Sequence, residues 1–161
     1  MPKKVFLASD HAGFELKSAI GVFLQERGFT IDDLGPATYD IEDDYPDTIA
    51  PLARAVAAEP GSFGIVFGAS GQGEAIVCNR VKGVRAAVYY GPASAKATDG
   101  QGQSLDILKL SREHNDANVL SLGARFLSQA DAKDAVLLWL NTAASTEERH
   151  ARRVKKIDEG Y

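Results

Sequence analysis

Short apolar runs alternate with longer amphipathic segments along nearly the whole chain, and that alternation leaves few folds open. Residues 5–8, 30–34, 64–67, 85–89 and 119–122 each read as a short buried strand. Residues 14–27 carry Phe14, Leu16, Ile20, Val22, Phe23 and Leu24 at close to helical spacing, and Gly28 stops the run. Further helices are predicted over 46–59, 74–81, 105–113, 128–140 and 146–159, the last with no strand after it. Parallel strands need a crossover, and right-handed crossovers pack back on the sheet, so the pattern predicts an α/β fold with a five-stranded parallel sheet covered on both faces. Ligands of such sheets sit beyond the carboxyl ends of the strands. The informative residues are therefore those just after each strand.

A length of 161 residues, with 45% hydrophobic and 25% charged, fits one domain over 1–161 and excludes disordered and fibrous classes. No apolar run approaches the ~18 residues of a membrane span, and Met1-Pro2-Lys3-Lys4 leads into a strand rather than a signal core, which points to a cytoplasmic protein away from membranes. Cys78 is the only cysteine, so an intrachain disulfide and a cysteine-based metal cluster are ruled out. A net charge of -4 argues against a nucleic-acid partner, which would need a basic face. The charge is uneven, however. Asp32, Asp33, Asp40, Glu42, Asp43, Asp44 and Asp47 form a stretch without Lys or Arg, whereas Arg149, His150, Arg152, Arg153, Lys155 and Lys156 crowd the C-terminus in a cluster sized for one small anion.

Ser9-Asp10-His11-Ala12-Gly13 follows the first strand. Asp10 suits a helix cap, and Asp10 with His11 equally suits proton transfer and hydrogen bonding to hydroxyls. The third strand runs into Gly68-Ala69-Ser70-Gly71-Gln72-Gly73, whose glycines leave backbone N–H groups open to an anion or merely serve the turn. The dinucleotide pattern G-x-G-x-x-G fails at Ser70 and the hydrolase elbow G-x-S-x-G fails at Gln72, so neither NAD binding nor a serine nucleophile is supported. Glu74 follows at once, either as a partner of the helix dipole or as a base that removes a carbon-bound proton while adjacent N–H groups hold the oxyanion. Ser70 can donate to the same oxygens. His114-Asn115-Asp116 precedes the fifth strand and Gly123-Ala124-Arg125 follows it; both are expected at the functional edge unless the first is only a solvated turn. Arg149 and Arg153 share one helix face, as either an anion clamp or a solvated basic surface.

Four ordered segments, SDHAGFELK, GASGQGEAI, REHNDANVLSLGAR and ERHARRV, resemble the ribose-5-phosphate isomerase B family, which includes galactose-6-phosphate and allose-6-phosphate isomerases, over nearly the whole chain. The resemblance implies a Rossmann-like three-layer α/β/α sandwich. It also implies a homodimer, or a tetramer of paired dimers, with sites at the subunit interface, the 146–159 helix packing on the partner, no metal and no cofactor. The implied reaction is aldose–ketose isomerisation of a phosphorylated sugar through an enediolate. Position by position, Asp10 and His114 would assist ring opening, Asn115 would bind sugar oxygens, and Ser70 with the backbone of Gly71, Gln72 and Gly73 would stabilise the enediolate. Arg125, Arg149, His150 and Arg153 would hold the phosphate, with His11 lining the same pocket. Many members carry a cysteine base where this chain has Gly68; the chain is similar instead to a subgroup with a glutamate base at Glu74, expected to be ionised at neutral pH and only modestly shifted. The segment 97–108 is longer than the family usually has there, and either shapes substrate choice or is inert. The implied substrate is ribose 5-phosphate, with a six-carbon sugar phosphate or a non-catalytic sugar-phosphate binding role as alternatives.

Overall fold

The computed structural model describes residues 3–91 and 105–160. In chain order the elements are β1 (Lys4–Ser9), α1 (Phe14–Gln25), β2 (Thr30–Asp33), α2 (Tyr45–Ala58), β3 (Phe63–Gly68), α3 (Gln72–Cys78), β4 (Ala86–Tyr89), α4 (Ile107–Glu113), β5 (Val119–Gly123), α5 (Gln129–Asn141) and α6 (Glu148–Glu159). The strands form one five-stranded sheet in the order β2-β1-β3-β5-β4, and every pairing is parallel. The predicted α/β architecture is therefore observed, element for element.

Strand periodicity divides the core. Val5 and Leu7 of β1, with Ile65 and Phe67 of β3, face one side and pack with Ile20 and Leu24 of α1 and Val136 and Trp139 of α5. Phe6, Ala8 and Val66 face the other side and pack with Ile49, Leu52 and Val56 of α2 and with Cys78 of α3. Helices thus cover both faces. Trp139 is fully buried, meets Phe63 edge-on at 5.5 Å, and donates its indole N–H to Ser111 Oγ at 3.1 Å, so its one polar atom is satisfied.

Element boundaries differ from expectation by a few residues. Gly71, at φ +75°, turns the chain so sharply that α3 starts at Gln72 instead of 74 and ends at Cys78 instead of 81. Glu147 is extended, so α6 begins at Glu148 instead of 146. Gly28, at φ +83°, does end the turn after α1. Most of the 97–108 insertion lies outside the described residues; at its end, Asp106 caps α4 by accepting the N–H groups of Leu108 and Lys109. Among the described residues no helix is long and apolar enough to cross a membrane.

Candidate active site

The strand order reverses between β1 and β3, and their carboxyl ends lie side by side: Ser9 pairs with Phe67, and Gly68 pairs with Gly123 of β5. This is the switch point at which open α/β sheets place ligands. Asp10, His11, Ser70, Gly71, Gln72, Gly73, Glu74 and Arg125 all follow one of these three strand ends. Asp10 is 7% exposed; its N–H donates to the Phe67 carbonyl at 3.0 Å and its Oδ1 accepts the Gly13 N–H at 2.8 Å. Oδ1 thus closes the turn that leads into α1, whose N-cap is Gly13 and not Asp10.

Glu74 lies in the first turn of α3 and is 4% exposed. Its carboxyl fills the space above Gly68: a Cβ built there would overlap Cδ and both carboxylate oxygens. Glycine at 68 is what admits the glutamate. Burial pushes the Glu74 carboxyl above the usual carboxylate range, and the charges of Asp10 and Asp43 add to the rise, while its own backbone N–H opposes it. Cys78, one helical turn further on, is buried and its thiol is pushed up to about 12, so it is a neutral packing group.

The loop before α3 is held from beneath. Ser121, buried in β5, donates its hydroxyl to the Gly71 carbonyl at 2.6 Å, and a Cβ on Gly71 would strike that same hydroxyl. The Tyr45 ring lies against Gly73 so closely that any side chain there would overlap it. Ser70 Oγ accepts the Gln72 N–H at 3.3 Å, and the Arg125 N–H donates to the Ala69 carbonyl at 3.2 Å. Ser121 and Tyr45 went unrecognised in the sequence, since a serine inside an apolar strand and a tyrosine after an acidic run carry no local signal of what they touch.

The remaining candidates lie at the other edge, which corrects the expectation for His114 and Asn115. In a parallel sheet a residue before a strand sits at the amino edge, and β5 starts opposite Gly64, the second residue of β3, and Ala86, the first of β4. At about 3.3 Å per residue, the five residues of β5 set His114 and Asn115 at least ~13 Å from the Gly68 edge of the same chain. The turn that holds them is anchored by buried cations. Arg112 donates to Asp116 Oδ1 at 2.7 Å and to the Ala117 carbonyl at 2.6 Å, and Arg85 donates to the carbonyls of Asn115 and Asp116 and to Asp158 of α6.

Here α6 docks on its own chain. The His114 and His150 rings stack with centroids 4.3 Å apart and planes 7° from parallel, and the two border a cleft of about 520 Å³ with Ser145, Val154 and Lys155. Arg149 Nε donates to His150 Nε2 at 3.2 Å and pairs with Glu147 at 2.7 Å. Burial lowers the His150 pKa, and His114, Arg149 and Arg153 lower it further against the opposing Glu147. These causes bias His150 toward its neutral form, beside two exposed arginines, Arg149 and Arg153. One chain holds the candidate base and the glycine loop at one edge, and the histidine–arginine cluster at the other.

The profile of the ribose/galactose isomerase family matches residues 5–157. The chain belongs to that family. Among curated relatives of this isomerase family, ribose-5-phosphate isomerase B of Mycolicibacterium paratuberculosis is 38% identical over 156 residues, covering 97% of this chain and 90% of the relative. Among solved structures, ribose-5-phosphate isomerase B of Mycoplasma genitalium with bound ribulose-5-phosphate superposes with a TM-score of 0.84 at 34% identity, covering 99% of this chain and 96% of that one. The Clostridium thermocellum isomerase B gives a TM-score of 0.81 at 38% identity, covering 97% and 95%. In this chain glycine at 68 leaves the volume that the Glu74 carboxyl occupies.

Proposed function

We propose that the protein is a sugar-phosphate isomerase interconverting ribose 5-phosphate and ribulose 5-phosphate through an enediolate, with Glu74 as the base. The carrying observation is the buried Glu74 carboxyl seated over Gly68 at the switch point, beside a glycine-lined loop. On the opened aldose, Glu74 takes the C2 proton, and the electron pair moves into C1–C2 as the C1 carbonyl oxygen gains charge. Returning that proton to C1, while the O2–H proton passes to O1, gives the ketose. Ser70 and the backbone N–H groups of Gly71, Gln72 and Gly73 face the oxygens on which this charge develops. The bound ribulose-5-phosphate of the Mycoplasma genitalium relative supports a product of this size.

The rest of the machinery comes from a second subunit. Asp10 of one subunit and His114 of the other assist ring opening, and Asn115 binds the sugar oxygens. Arg125, with Arg149, His150 and Arg153 from the other copy, holds the phosphate, and α6 reaches over the interface to do so. Separation of the two groups within one chain supports a homodimer. The test is Glu74→Gln. The amide keeps the shape and loses the base, so turnover falls ~10²–10⁴-fold with little change in KM. Near-normal turnover in that variant would falsify the assignment of the base.

A further inference from the structure

His11 leaves β1 at the rim of the site, and its Nδ1 lies 2.6 Å from Asp43 Oδ1 in the loop before α2. The contact is sheltered, with the His11 and Asp43 side chains 27% and 12% exposed. Asp43 Oδ2 is buried and has no partner among the described residues, and His11 is the one ion-pair partner of the carboxylate among them. No Lys or Arg occurs between Asp32 and Asp47 to replace it. The Tyr39 ring closes the outer side, edge-on to His11 at 6.3 Å and to Phe14 at 6.1 Å. With Nδ1 engaged, Nε2 is the free polar atom of His11. Resting on the isomerase reading above, we propose that Asp43 is a positioning residue, whose carboxylate fixes the His11 ring so that Nε2–H is presented to the bound sugar phosphate.

The charges that face this pair are those of the site itself. The hydrogen bond that His11 donates to Asp43 raises the His11 pKa, the charges of Asp10 and Asp43 act the same way, and burial and Arg125 oppose them. Asp43 and Asp10 also help to hold the Glu74 carboxyl up. One carboxylate therefore biases both the cation and the base. Its removal moves both titrations in the same direction, to lower pH, which a merely structural contact does not do.

Asp43→Asn keeps the size and removes the charge. The chain has three histidines, so His11 can be followed by side-chain NMR and identified with His11→Gln. In Asp43→Asn the His11 midpoint falls, and both limbs of the kcat/KM profile for ribose 5-phosphate move to lower pH. At pH 8 the KM rises about tenfold, the loss of one charge-assisted hydrogen bond, and the penalty shrinks at pH 5.5, where the ring protonates unaided. An equal penalty at both pH values, or an unmoved His11 midpoint, overturns the proposal. Should Asp43→Asn fail to fold, Asp43→Glu and the wild-type titration decide it: a wild-type His11 midpoint at or below that of a free histidine is fatal. Should Asp43→Asn behave as expected while Glu74→Gln keeps its turnover, the base assignment fails and the Asp43–His11 pair stands. An unmoved Asp43→Asn with an inactive Glu74→Gln gives the reverse.

Discussion

A methyl group at position 68 would enter the volume now filled by the Glu74 carboxyl, and the carboxyl is the part that can move, because it ends a flexible side chain. Gly68→Ala is accordingly expected to fold normally and to turn over at least ~10-fold more slowly at unchanged KM, since the base is displaced from the reacting carbon while the phosphate anchors are untouched. Steady-state kinetics with a thermal melt separate this from a general loss of structure. An unimpaired Gly68→Ala would mean that the carboxyl works from another position. The sequence marked Gly68 and Glu74 individually; it did not reveal that they occupy one space, because six residues of separation say nothing of volume until the turn at Gly71 brings them face to face.

Between elements, the turn from α4 to β5 hangs on Arg112, which is 6% exposed, lies over the Phe63 and Trp139 rings and donates to Asp116, to the Ala117 carbonyl and to the Thr142 carbonyl. Arg112→Ala leaves two carbonyls short of a donor and strips packing from the tryptophan, for a loss of about 2–4 kcal/mol measured by urea unfolding. His114 loses its fixed direction with it. The β-α alternation was readable in the sequence because each strand and helix is written in its own local periodicity. The edge on which His114 and Asn115 lie was misread, although the strand assignment was sound: only the polarity of the strand, applied to a residue before it instead of after it, gives the right side. Asp43 was visible as part of an acidic run, yet its partner His11 is 32 residues away and nothing local names it.

At the scale of the whole molecule, the proposed homodimer shares each site between two copies, and shared sites complement. Glu74→Gln damages one edge and His114→Asn the other. A mixed dimer then has one doubly damaged site and one intact site. Co-refolding the two inactive variants in equal amounts is expected to recover about one quarter of the wild-type rate, because half of the dimers are mixed and each has one working site of two. No recovery on mixing, with mixed dimers verified by mass, would mean that each chain is self-sufficient. The same economy shows in the single sulfur of the cysteine, sealed behind α3 against the sheet, where burial pushes the thiol up to about 12. If Glu74 is the base, as proposed, the reaction needs no thiolate, and turnover is expected to survive peroxide or an alkylating electrophile that the buried Cys78 does not meet.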